Sequence, residues 1–437
     1  MTRRSLRLAV AALAVIGIAI VARLATADGR AARLVVVDRD GSLSTMDGHG
    51  GSVVSHPVAG ATFQFPAWSP DGSRIAAIGQ AQGVFGVYVF DARTSGQPPA
   101  PTVVYESAAQ PPFYLYWTPD SRQLTFLTTE SDGLALRVAP ADASAHDSIL
   151  RRGAPLYWTW LEPDRLAVHS GAAGPDGFLG EIGLDGAAVE NQVAAPGVFR
   201  APAVSRDRRY RSYVGPAGDP GSGEGDFPPR LVVEGRDGSG RHEIPVFGIA
   251  AFSFDPTGQA LAFIAADEPT DEPLPLPVGP LRIVDALSGS VRTVLDASIV
   301  AFWWAPDGRT IASLRLDAPG GIEARSADGA QVAAVGQAPP GRNELAQAEG
   351  FALHVVFTDV PSGAGRSERA VRVSGLFATQ LVPYFDQYAL SHRLWSPDSR
   401  SIVLPLVDGG ATGLYVIPAD GSEPARLVDG AMGFWSP

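Results

Sequence analysis

The chain of 437 residues contains no cysteine, which removes disulfides, thiolate-bound zinc and thiol nucleophiles from consideration. Lysine is absent too, so every basic side chain is an arginine. Histidine is scarce. The seven present, at 49, 56, 146, 169, 242, 354 and 392, show no H-E-x-x-H or other metal-ligand spacing. His49 and His56 lie close together in a glycine-rich hairpin, where the expectation is that both face solvent. No G-x-S-x-G elbow occurs, which argues against a serine hydrolase domain. Gly221-Ser222-Gly223-Glu224-Gly225 has no lysine or helix behind it and reads as a surface loop rather than a phosphate cradle. The acids and prolines of Asp267 to Pro280 read the same way. Asp38-x-Asp40-Gly41 lacks the further ligands of a calcium loop and reads as a hairpin turn. These absences give an expectation of no catalytic residue, no metal and no cofactor.

What the chain has in quantity is turn formers. The 49 glycines and 37 prolines argue for many short strands. The first 27 residues stand apart. Arg3, Arg4 and Arg7 precede an apolar run of 15 residues from Leu8 to Ala22, followed by Arg23 and Ala25-Thr26-Ala27. A charged start, an apolar middle and small residues at a cleavage site make a secretory signal. The run would extend roughly 22 Å as a helix, short of the ~30 Å hydrocarbon core. Arg23 beside the cleavage site leaves an uncleaved signal anchor as the alternative. Thr2-Arg3-Arg4-Ser5-Leu6 also resembles a twin-arginine export signal, with Arg7 where an apolar residue is usual. Either route places the rest of the chain outside the cytoplasm: periplasmic, on the cell surface or secreted. Residues 28–32 then form a short linker. Beyond residue 27 the chain carries 30 basic and 46 acidic side chains. That balance disfavours nucleic acid and anionic membrane surfaces, which need clustered cations.

One pattern recurs along residues 33–437. It reads AWSPDGSRIAAIG from Ala67, YWTPDSRQLTFLT from Tyr116 and TWLEPDRLAVHSG from Thr159. It returns as SFDPTGQALAFIA from Ser253, WWAPDGRTIASLR from Trp303 and LWSPDSRSIVLPL from Leu394. A worn copy, AVSRDRRYRSYVG, starts at Ala203, and another copy is cut short at Phe434-Trp435-Ser436-Pro437. The aligned positions 68, 117, 160, 204, 254, 304, 395 and 435 are mostly 40–50 residues apart, the length of one four-stranded propeller blade. The interval of 91 after Trp304 reads as one blade with an insertion, because only one good pair of later strands follows it, Leu353 to Asp359 and Ala370 to Val373. The Trp suits a wedge between blades. Pro and Asp-Gly suit the turn after it. The following residues alternate, Ile75 and Ala77 against Arg74 and Ala76, which reads as a half-buried strand. Leu34 to Val37 lack a first strand of their own, and Gly433-Phe434-Trp435 supply one. Pairing them would close the ring and hide its edges. The expectation is an all-β, closed propeller of eight blades, or seven if the copy at Val204 is not a blade.

The W-S-P-D-G repeat, with the apolar strand and D-x-x-G hairpin that follow it, resembles the propeller repeats of TolB-like proteins. The same repeat occurs in the non-catalytic propellers of prolyl-oligopeptidase-type enzymes. The resemblance covers about residues 33–437 and implies architecture. It does not carry over TolB's partners, since the N-terminal α/β domain of TolB has no counterpart between Ala27 and Leu34.

Propellers usually bind at the mouth of the central channel, and the segments before each motif should approach it. The candidate binding residues are Phe113, Tyr114, Tyr116, Trp158 and Trp303, with the stretch Asp386, Gln387, Tyr388, His392 and Arg393. Rings and arginine are what binding hot spots use. The leading expectation is a non-catalytic, monomeric binding or scaffolding propeller for a protein, peptide or glycan. The alternative is a lyase or hydrolase of small molecules built inside the channel.

Overall fold

The repeat folds as expected into short antiparallel strands joined by tight turns. The computed structural model describes residues 32–92, 98–171, 177–194, 197, 199–216, 228–269, 276–316 and 350–437. The signal or anchor segment therefore lies outside the described residues, as do Gly221–Gly225. Among the described residues no helix is long and apolar enough to cross a membrane.

The first sheet joins the two ends of the repeat region. It comprises β1 (Arg33–Val37), β2 (Leu43–Asp47) and β3 (Val54–Ser55), with the last strand, Met432–Trp435, pairing antiparallel to β1. The second holds β4 (Ala61–Trp68), β5 (Arg74–Ala81), β6 (Val84–Asp91) and β7 (Thr102–Ser107). The third holds β8 (Pro112–Trp117), β9 (Gln123–Glu130), β10 (Gly133–Pro140) and β11 (Ser148–Gly153). β12 (Leu156–Glu162), β13 (Arg165–Ser170), β14 (Phe178–Gly183) and β15 (Ala188–Ala194) make the fourth. β16 (Ala203–Val204), β17 (Tyr210–Gly215), β18 (Arg230–Gly235) and β19 (His242–Pro245) make the fifth, so the worn copy does head a sheet.

The next ten strands are hydrogen-bonded in sequence order and contain three motif copies. They run β20 (Phe247–Phe254), β21 (Ala260–Ala266), β22 (Gly279–Asp285), β23 (Val291–Trp304) and β24 (Thr310–Arg315). Then come β25 (Phe351–Asp359), β26 (Ala364–Val373), β27 (Ser401–Asp408), β28 (Ala411–Pro418) and β29 (Ala425–Asp429). The chain ends on β30 (Met432–Trp435). β24 and β25 pair directly, so residues 317–349 connect two neighbouring strands and the long interval holds one unit with insertions. Several four-stranded antiparallel sheets, each packed on the next, are the arrangement of a propeller.

The second strand of each unit is buried along its length. Ile75 to Gly79 and Leu124 to Thr128 are buried at every position. The half-buried strand expected from the alternation is thus corrected: each sheet is covered by a neighbour on both faces, so both sides of the strand are core. His56 is corrected for the same reason. It is buried against the Phe90 ring at 5.6 Å, and burial holds its imidazole below the usual range, while His49 stays exposed.

The repeated Trp staples one sheet to the preceding one. Trp68 Nε1 donates to the Phe434 carbonyl at 3.1 Å, and Trp117 Nε1 to the Ala67 carbonyl at 3.0 Å. Trp304 Nε1 donates to Ser253 at 3.3 Å and Trp395 Nε1 to Trp303 at 2.9 Å. In all four the acceptor is the residue before the motif position of the preceding unit. Trp160 breaks the pattern. The Tyr116 carbonyl it would use accepts from Thr125 Oγ1 at 3.0 Å instead, and Thr125 Oγ1 in turn accepts from Trp158 Nε1 at 3.0 Å. Among the described residues Trp160 Nε1 has no partner. Trp117→Phe is therefore expected to cost about 1–2 kcal/mol, because it strands the Ala67 carbonyl. Trp160→Phe should cost far less. Urea midpoints at unchanged slope would show the difference, and equal losses would refute the staple.

Candidate functional site

The first strands carry the motif Trp, and in a propeller such strands converge on the axis. Residues 374–393 reach that place by a different route. Between β26 and Trp395 the chain forms three helical turns: Phe377–Leu381, Val382–Tyr384 and α1 (Phe385–Tyr388). The first strand of the last unit is reduced to a single bridge, Trp395 to Ile402. Pro383 and the tight succession of bulky rings prevent a long helix from forming here.

This segment reaches the first strand, or its approach, in the other units, by contact in most and by charge in one. Tyr388 stacks on Phe65 of β4 with centroids 5.2 Å apart, and tilts on Tyr114 of β8 at 5.1 Å. Tyr157 of β12 donates its hydroxyl to the Gln387 carbonyl at 2.9 Å. Arg200, just before β16, lends its charge to Asp386, and the Phe252 N–H of β20 donates to the same carboxyl. Phe385 packs on Phe302 and Trp303 of β23, at 5.0 and 5.8 Å. His392 meets Phe434 of β30 at 4.6 Å, and its Nε2 lies 3.3 Å from the Phe65 carbonyl. The axis is thus filled by packed side chains.

Two of the strands are bent to meet it. The register of β4 shifts between Gln64 and Ala67, and that of β8 between Phe113 and Tyr116. Within each bulge a ring residue takes positive φ, Phe65 at 48° and Tyr114 at 54°. A left-handed conformation at a side-chain-bearing residue costs on the order of 1 kcal/mol. Both strained residues face Tyr388, so the ring contacts offset that cost.

The expected site residues separate into two groups by exposure. Trp158, Trp303, Asp386, Gln387, Tyr388 and His392 are all buried, Trp158 completely. Phe113, Tyr114 and Tyr116 are half-buried, and Arg393 is exposed. Burial dominates the electrostatics. It pushes the Asp386 carboxyl up to about 6 against the pull of Arg200. It pushes the His392 imidazole down to about 4. The phenols of Tyr114, Tyr157 and Tyr388 are raised far above the ordinary value for the same reason.

Arg393 stands at the other end of the segment. It lines a small cleft, open in part to solvent, on the side where the motif turns lie. Its walls include Ser69, Tyr116, Ser391 and the largely buried Trp68, Trp117 and Trp435. The Arg393 carbonyl accepts from Trp435 N at 2.8 Å, which pins its backbone to β30. Partial desolvation in the cleft and the like charge of Arg206 lower the affinity of the guanidinium for its proton. Arg206 went unnoticed in the sequence because it occupies the Pro position of the worn motif. Among the described residues no group of three His, Asp or Glu side chains is placed to hold a metal ion.

No protein-family model matches the chain. No curated protein sequence matches it either. Among solved structures, apo AztD from Citrobacter koseri has a similar fold at 15% identity and a TM-score of 0.52, over 92% of this chain and 96% of that one. An oligogalacturonate lyase in complex with manganese aligns at 13% identity and a TM-score of 0.43, over 89% of this chain and 84% of that one. TolB from Acinetobacter baumannii aligns at 16% identity and a TM-score of 0.36, over 60% of this chain and 65% of that one. The match thus spans less than two thirds of that TolB. At such identities likeness concerns the fold, a β-propeller.

Proposed function

We propose that the chain is a non-catalytic, TolB-like propeller of eight closed blades, working outside the cytoplasm. It would bind a protein, peptide or glycan partner at the motif-side mouth of its axis. The observation that carries this reading is the filled axis. A channel enzyme needs converging acids, bases or metal ligands beside a space for substrate. Here the same place is occupied by Phe65, Tyr114, Tyr157, Tyr388, Phe302 and Phe385 packed on one another. What remains open beside it is the half-buried Tyr116 with the exposed Arg393, residue types that binding hot spots use. Residues 3–27 support export, with cleavage or anchoring through residues 8–22 as the two outcomes.

One observation favours the alternative, a small-molecule lyase or hydrolase: a carboxyl with its pKa near 6, Asp386, is of the kind used in acid–base catalysis. Against it, Asp386 is buried and its oxygens take the N–H groups of Phe252 and Gln387.

The test is capture of partners from the protein's own membrane fraction, with Arg393→Ala beside Leu287→Ala, a control at a residue 79% exposed. Both variants should keep wild-type stability within about 0.5 kcal/mol. A partner held by wild type and Leu287→Ala and lost by Arg393→Ala supports the reading. Turnover of a small molecule that disappears in Asp386→Asn would replace it with the enzyme.

A further inference from the structure

We infer that the motif-side cleft binds a carboxylate of an acidic peptide segment, taken by the Arg393 guanidinium with Arg206 as the second positive charge. The inference rests on the binding reading above and names its ligand.

The arginines of this protein are for the most part committed. Arg137 is held by Glu130 and Asp147 at 2.8 and 2.6 Å, Arg211 by Glu234 at 2.6 Å, and Arg236 by Glu181 at 3.2 Å. Even the exposed Arg209 pairs with Asp207 at 2.6 Å. Among the described residues Arg393 and Arg206 have no carboxylate and no hydrogen-bond acceptor. Two like charges within each other's influence, one of them in a partly desolvated cleft, are unfavourable unless an anion joins them.

The geometry fits one planar anion. The Arg393 backbone is fixed through Trp435 N, so less freedom is lost when its planar fork meets a carboxylate. Trp68, Trp117 and Trp435 line the cleft while staying more than nine-tenths buried. The cleft is small and half-open, which suits a single side chain or a chain end rather than an extended polymer.

The three indoles also provide the readout. Tryptophan fluorescence of the full chain would be titrated with tetraglutamate, tetraglutamine, digalacturonate and inorganic phosphate. The expected result is saturable binding of tetraglutamate alone. Arg393→Gln should weaken it about tenfold to a hundredfold. Arg206→Gln should weaken it about threefold to tenfold and reduce the dependence on salt. Arg393→Lys keeps the charge without the fork and should fall between Arg393→Gln and wild type. Urea midpoints equal to wild type would show that these variants are folded. Tighter binding of digalacturonate would replace the peptide by an acidic glycan. Equal binding of phosphate, or of tetraglutamate by the variants, would overturn the site. If wild type binds none of the probes while partner capture still depends on Arg393, the carboxylate inference fails and the binding reading stands.

Discussion

Phe385→Ala is expected to destabilise the protein by about 3–5 kcal/mol, the range for deleting a fully buried ring. Phe385 has no exposed surface, and it packs on Phe302 and Trp303 from within a segment that belongs to no sheet. The size of the effect follows from position. Around the periphery a hole can be closed by small shifts of one sheet against the next. At the axis the walls are first strands held by Trp staples on either side, and they cannot collapse inward without breaking those bonds. Leu390→Ala is the matched control. It lies in the same insertion but is 36% exposed, and should cost less than about 1 kcal/mol. Urea unfolding of the three proteins decides the matter. A loss below about 1 kcal/mol for Phe385→Ala would mean that the axial segment is loosely seated and the channel accessible. The enzyme reading would then regain weight.

The contrast between these two residues also marks where the sequence was readable. The motif positions announced the strands, the turn chemistry and the pairing of the chain ends, because each copy repeats the same physical solution. In the turns, Ser69 and Thr118 each bond the following Asp, at 2.6 Å in both cases. The residue after that turn Asp or Thr takes positive φ whether it is Gly72 and Gly258 or Ser121 and Arg208. Even the copy at Val204, without Trp or Pro, makes the same turn: Ser205 bonds Asp207 at 2.7 Å.

The axial segment was not readable in the same way. Its helical turns are three to five residues long, too short to show a period. A run of rings before a Trp looks the same whether it lines a rim or stops a channel. Exposure of the rings depends on contacts with strands more than 200 residues away, as between Tyr157 and Gln387. Arg206 shows the converse. A departure from the motif, readable as decay, places a charge whose field reaches Arg393.

The second large effect concerns pH. Asp386→Asn is expected to stabilise the protein at pH 8 and to leave it nearly unchanged, or slightly weakened, at pH 4. Its carboxyl has a folded-state pKa of about 6 against an ordinary 3.8, so the folded protein binds this proton more tightly than the unfolded chain does. The stabilisation from the protonated form is complete below the unfolded value and is lost as pH rises through about 6. A shift of that size corresponds to about 3 kcal/mol as an upper figure. Asparagine keeps an oxygen for the N–H groups of Phe252 and Gln387 and does not ionise. The groups facing Asp386 are Arg200 and the phenols of Tyr114 and Tyr157, which stay neutral across this range. His392 works in the opposite sense. Its folded pKa of about 4 lies below the ordinary 6.5, so its contribution is present above that ordinary value and lost as pH falls through about 4. In wild type the two groups nearly cancel between pH 4 and 6.5. The variant should reveal the histidine alone, with stability rising across that window. The measurement is the difference in unfolding free energy between variant and wild type at pH 4, 6 and 8. A difference that stays constant with pH would show that Asp386 reaches solvent, and the packed axis would have to be given up.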